Sequence, residues 1–258
     1  MLDGIETGYE GKFDFPARAQ QPEAAYLLAS VPRAGSTYFS HVLWRTGCLG
    51  APLEYLNFDP AGPYGFAAKS AEMQHQLWRS VLRRRTSPNG VFGLKGFLMQ
   101  LQALQQSNPP LLEDVLATLL PPSGPRRIVY LRRRDRIAQT VSYARASMSG
   151  VWRKEQEAGD APVLEYSQEL LEAAERGIAF QEDAWEQMFR DIGIEPLRLW
   201  HEDVLADSAG AAGEVAGHLG VAIAPNAAVD IPRIVKQSVG AAPSWIERYG
   251  RSGRDASL

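Results

Sequence analysis

Two groups of residues in this chain have the types and spacing to handle an anion. The first is the run SVPRAGST, Ser30 to Thr37, where an apolar stretch meets a proline, an arginine and a small polar turn before an amphipathic segment begins. Gly35 permits close backbone approach, and the amides of Gly35, Ser36 and Thr37 would open a helix whose N-terminus favours negative charge. Arg33 adds a forked cation just ahead of the turn, beside Ala34. Aligned on Gly35 as the second glycine of the nucleotide-binding pattern G-x-x-x-x-G-K-[ST], the chain has Ser30 at the first glycine and Ser36 at the lysine. Without that lysine a triphosphate loses its usual charge partner. The turn therefore suits a small tetrahedral group on a 5′-phosphate. The same residues also fit a plain strand-to-helix turn with hydroxyl caps.

The second group is the arginine run RRRDR at 132–136, directly after the apolar stretch 127–131. On the segment that follows, Ala138, Val141, Ser142 and Arg145 share one helical face. A cation at the strand end and the Ser142 hydroxyl two turns on would bracket a second phosphate. Charge runs are usually solvated surface, and that reading takes most of this cluster. The position at a strand's carboxyl end lifts one arginine above it. Two separated anion sites point to a nucleotide with phosphates at both ends.

Four short apolar runs, near 25–30, 91–95, 127–131 and 197–201, read as buried strands. Helical patterns cover 36–46, 69–85, 111–120, 136–149 and about 165–191, with Asp135 as a cap and Gly47, Gly150 and Gly193 as stops. Strands alternating with helices predict an α/β fold, P-loop-like and three-layered, with a central, mainly parallel sheet flanked by helices. Such a sheet binds ligands at the carboxyl ends of its strands, where both basic turns would lie. Residues 1–24, with Pro16 and Pro22, read as an extended, loosely held tail, and 25–258 as one domain.

With 258 residues, 45% of them hydrophobic and 22% charged, the composition is that of an ordinary globular protein. A net charge of -3 argues against general nucleic-acid binding. No run reaches the roughly 18 apolar residues of a membrane span, so stable membrane insertion is not expected. The acidic N-terminus lacks signal-peptide features, and the single cysteine, Cys48, excludes an internal disulfide. A cytoplasmic location is the expectation. The four histidines show no metal-ligand spacing and read as structural, so no metal is expected.

The ordered set PRAGST, GAPLEYL, GVFGLK, LRRRDRIAQTVSYARASMSGVWR and KQSVGAAPSWIERY, from 26 to about 249, resembles the bacterial trehalose 2-sulfotransferase-type enzymes. The resemblance implies 3′-phosphoadenosine 5′-phosphosulfate (PAPS) as sulfuryl donor, with no metal, which would explain the missing lysine. It implies that Arg33, Ala34, Gly35, Ser36 and Thr37 hold the 5′-phosphosulfate and that Arg133 and Ser142 hold the 3′-phosphate. Lys236 and Gln237 fall in the place of a late phosphate- and adenine-side loop. Glu54, in GAPLEYL, matches the family's general base, and an attacking hydroxyl does have to lose a proton. Lys95, at the end of VFGLK, would steady the leaving phosphate or pair with Glu54. The implied acceptor is a carbohydrate or glycolipid, and the implied assembly a homodimer. One position departs from the pattern: Ala51 stands where trehalose-type members commonly carry an acidic residue, and a methyl group accepts no hydrogen bond from a sugar hydroxyl. That weighs against trehalose itself. The rival readings are a P-loop kinase or nucleotidase, and a catalytically idle nucleotide-binding protein of the same fold.

Overall fold

In the computed structural model, residues 6–60, 62–122, 125–152, 164–232, 234 and 242–255 are described. Four strands form one parallel sheet: β1 (Ala24–Ser30), β2 (Val91–Phe97), β3 (Ile128–Arg132) and β4 (Leu197–Trp200), in the order β2-β1-β3-β4. Successive connections run to opposite sides of β1, so the order reverses beside that strand. That reversal opens a crevice at the carboxyl ends of β1 and β3. Both basic turns, 31–35 and 133–135, leave from this crevice.

The period of two in β1 explains the layers. Leu27 and Ala29 face one core with Trp78 and Val81 of α2 (Ala71–Arg84), Leu101 of α3 (Leu98–Ser107), Val115 of α4 (Pro109–Leu119) and Trp185 of α6 (Gln168–Asp191). Tyr26 and Leu28 face the other, with Phe39 and Leu43 of α1 (Ser36–Arg45), Val204 of α7 (His201–Ala206) and Val215 of α8 (Ser208–Leu219). A third cluster joins α6 to α5 (Arg136–Ser149) and α9 (Ala242–Asp255) through Val141, Leu171, Trp245 and Tyr249. The sequence-based helices lie close to α1, α2, α4, α5 and α6. Asp135 caps α5 by accepting from the Ala138 amide at 2.9 Å. Helices α3, α8 and α9 were not expected. Among the described residues no helix is long and apolar enough to cross a membrane.

The N-terminal stretch differs from the loose tail expected of it. Phe15 is buried, and the buried Arg85 guanidinium holds the segment by an ion pair to Asp14 at 2.9 Å and hydrogen bonds to the carbonyls of Gly8 and Glu10. Arg85 is 3% exposed, so it needs those acceptors, and the segment supplies them.

Candidate functional site

Gly35 is the N-cap of α1 with φ +83°, and Arg33 also adopts a left-handed backbone, φ +65°. For a non-glycine residue this costs about 1–2 kcal/mol, and such strain collects at binding sites. Ala34 is fully buried, and its amide closes the turn on the Val31 carbonyl at 3.2 Å. Ser36 is buried as well. The Arg33 side chain leaves the turn and crosses to α5. Its Nε donates to Ser142 Oγ at 2.9 Å and its Nη1 to the Trp152 carbonyl at 2.7 Å. Arg133 closes the group, its Nη1 donating to the Arg33 carbonyl at 3.3 Å. Arg33, Arg133 and Ser142 therefore form one cluster, and the backbone of the turn lies beside it. Burial, with the like charge of Arg133, pushes the Arg33 guanidinium down to about 10. It stays charged at neutral pH, and a bound anion would relieve both causes.

The flanking arginines are engaged where the sequence reading has a mostly solvated run. Arg132 and Arg136 share the buried Glu182 of α6, the former at 2.9 Å. Arg134 makes a two-point pair with Asp203 at 2.6 and 2.7 Å. Glu202 accepts from the amides of Arg134 and Asp135, each at 3.1 Å. Burial raises the Glu202 carboxyl, but these amide bonds outweigh it and hold the group below the usual range. Glu202 and Asp203 sit in the first turn of α7 and tie down the 133–135 turn. The pairs leave Arg133 as the arginine of the run that meets the β1 turn.

His201 also reads as structural in sequence, yet its ring lies against the turn. A Cβ built on Gly35 would come 2.1 Å from His201 Nδ1. Gly35→Ala should therefore cost at least about 1–2 kcal/mol from the backbone alone, and more from the collision. Urea melts would measure it. Adding His201→Ala should return the steric part but not the backbone part. A Gly35→Ala protein with unchanged stability would contradict this packing.

On the other side of β1, Leu53 forms an isolated parallel bridge with Leu94, and the Lys95 amide donates to the Leu53 carbonyl at 3.1 Å. This local pairing sets Glu54 beside Lys95. Lys95 is fully buried; its Nζ lies 2.7 Å from Glu54 Oε1 and donates to Thr37 Oγ1 at 2.9 Å. One ammonium thus links the candidate base to the first turn of α1. Glu54 Oε2 accepts from Gln100 Nε2 at 3.0 Å and from Asn57 Nδ2 at 3.2 Å, and the Glu54 amide donates to the Tyr9 hydroxyl at 3.2 Å. The sequence reading missed Gln100, Asn57 and Tyr9: a glutamine on an unassigned helix, a loop amide and a tyrosine in a supposed tail carry no motif. Ala51 is fully buried and offers an acceptor no surface. Lys236 and Gln237 lie outside the described residues. Trp185 and Trp245 are core, whereas Trp152 is 41% exposed and packs at a tilt on Tyr143.

The sequence pattern of the Stf0 sulphotransferases matches residues 25–252. Trehalose 2-sulfotransferase of Mycobacterium tuberculosis (strain ATCC 35801 / TMC 107 / Erdman) is 25% identical over 263 residues, spanning 90% of this chain and 96% of that protein. The protein of the same name from Mycolicibacterium smegmatis (strain ATCC 700084 / mc(2)155) is 24% identical over 266 residues, spanning 91% and 97%. Among solved structures, retinol dehydratase in complex with androsterone and inactive cofactor PAP aligns at 16% identity with a TM-score of 0.40. That alignment covers 87% of this chain, and this chain spans only 64% of that structure.

Proposed function

The chain belongs to the Stf0 sulphotransferase family, and from that premise we propose that it moves a sulfuryl group from PAPS to a hydroxyl of a carbohydrate or glycolipid. The observation that carries this reading is the Lys95 bridge: a carboxylate able to take a proton is tied through one buried cation to a turn able to hold an anion. The amides of Gly35, Ser36 and Thr37 would hold the 5′-phosphosulfate. Arg133 and the Ser142 hydroxyl would hold the 3′-phosphate; Arg33, expected on the 5′-phosphosulfate, reaches Ser142 with its side chain, so we assign its guanidinium to the 3′-phosphate as well. A crowded pair of cations fits such a dianion. By resemblance, Lys236 and Gln237 would join the nucleotide's side.

The acceptor oxygen would attack sulfur in line. Its proton passes to Glu54 as the new S–O bond forms, and the bond from sulfur to the donor's 5′-phosphate oxygen breaks. Lys95 and the turn amides would meet the charge that grows on the leaving phosphate, the effect that dominates comparable phosphoryl transfers. No metal enters this scheme. Mycobacterial relatives named for trehalose support a carbohydrate acceptor. The homodimer implied by the resemblance belongs to the same proposal.

The product nucleotide 3′-phosphoadenosine 5′-phosphate should raise the melting temperature. At 100 times its Kd the stabilisation would be about 2.7 kcal/mol by mass action. ATP with magnesium should give a much smaller shift at equal concentration. An equal or larger shift with ATP and magnesium, abolished by a chelator, would replace this reading with a kinase.

A further inference from the structure

We propose that Gln100 is a positioning residue for the Glu54 carboxylate, fixing the plane in which it meets the acceptor hydroxyl. The proposal rests on the reading of Glu54 as the base. Gln100 lies in the first turn of α3, which begins directly where β2 ends. Its side chain is held at both ends. Oε1 accepts from the Phe97 amide at 3.2 Å, capping the helix, and Nε2 donates to Glu54 Oε2 at 3.0 Å. The helix cap thus aims the amide N–H at the base. A residue that only capped α3 would have no need to reach a carboxylate 46 positions earlier in the chain.

The rest of the clamp comes from other elements. Lys95 of β2 holds Oε1, and Asn57, from the same loop as Glu54, donates to Oε2. Among the described residues, the titratable groups facing Glu54 include the Lys95 ammonium and the Tyr9 hydroxyl, the latter on its backbone amide. Lys95 supplies charge and Gln100 supplies direction. Two donors on Oε2 and the ammonium on Oε1 stop rotation about the last side-chain bond. A carboxylate that turns freely would seldom present a lone pair to the incoming proton. The same N–H stabilises the ionised form over the protonated one, so its removal has a titration signature.

The test uses Gln100→Glu and Gln100→Leu, with Gln102→Leu on the exposed side of the same helix as control. Gln100→Glu keeps the acceptor that caps Phe97, so the fold survives even where Gln100→Leu loses its cap. The first readout is the titration of the Glu54 carboxyl in protein carrying ¹³C-labelled glutamate, its signal identified by its loss in Glu54→Gln. The midpoint should move up by about one pH unit in Gln100→Leu, the scale of one hydrogen bond to a charged group. It should move further in Gln100→Glu, where a like charge replaces the donor. The second readout is turnover of labelled PAPS, with trehalose as probe acceptor and hydrolysis by water as fallback. It should fall about tenfold or more in kcat for both variants, with the KM for PAPS unchanged. Gln102→Leu should alter neither readout. Unmoved midpoints in both Gln100 variants would overturn the proposal, as would a kcat loss that leaves the midpoint where it was. Separately, near-normal turnover in Glu54→Gln would overturn the reading of the base, whatever Gln100 does.

Discussion

Glu54→Gln is expected to lower turnover by about 10²–10⁴-fold, the usual contribution of general acid–base catalysis. The substitution keeps the shape of the side chain, and an amide oxygen can still accept from Lys95 Nζ. It removes the capacity to take a proton. Affinity for the donor nucleotide should hardly change, because the carboxylate contacts Lys95, Asn57 and Gln100, while the proposed phosphate ligands lie on the turn and on α5. The loss should therefore appear equally in kcat and kcat/KM, as for an interaction used only in the transition state. In the unmodified enzyme activity should fall as pH drops, since a protonated carboxyl cannot act as base, and this limb should vanish from the mutant's residual rate. Near-normal turnover with the acid limb intact would mean that another group takes the proton. His41, a histidine of α1, is buried, with its Nδ1 3.1 Å from the Pro232 carbonyl.

What was legible in the sequence is what local pattern encodes. The alternation in β1, with Leu27 and Ala29 to one core and Tyr26 and Leu28 to the other, belongs to a strand covered on both sides, and the continuous apolar run 25–29 announces it. Asp135 and Gly150 mark the ends of α5 because a side-chain cap and a left-handed stop are local chemistry. The strand-turn-helix order likewise places the candidate anion turn at the carboxyl end of β1. Pairings between distant segments were not legible. The partners of Arg132 and Arg134 lie 50 and 69 residues along the chain, so nothing near the arginine run distinguishes a paired guanidinium from a solvated one. Helix α3 escaped notice because Leu98, Leu101 and Leu104 give it only a narrow apolar stripe among glutamines. The N-terminal segment reads as a tail until Arg85 is seen to need its carbonyls. Gln100 unites two of these blind spots: it stands on a missed helix and bonds a distant residue.

Lys95→Met should be the most destabilising change at the site. Methionine matches the length of the lysine stem, so little packing is lost; the missing ammonium is what matters. Lys95 is fully buried and the Glu54 side chain only 13% exposed, so the change strands a carboxylate that is poorly placed to recover its hydration. Breaking such a pair from one side costs about 3–5 kcal/mol. The amides of Asn57 and Gln100 still serve Oε2, which places the expectation near the lower end. The sign of the pH dependence follows. In the mutant the folded state would favour the protonated carboxyl, raising its pKa above the unfolded value. Stability is then gained below the unfolded pKa and lost as pH rises through the window between the two. The deficit measured by urea melts should thus be larger at pH 7 than at pH 5. Adding Glu54→Gln removes the stranded charge, so the double mutant should be more stable than the sum of the single changes implies, by about 1–3 kcal/mol of coupling. Strict additivity would mean that the buried pair does not form in solution. Thr37 also loses its donor in Lys95→Met, so affinity for 3′-phosphoadenosine 5′-phosphate should fall in the single and double mutants alike. A nucleotide affinity unchanged in both would separate Lys95 from the anion turn and leave it a partner of Glu54 alone.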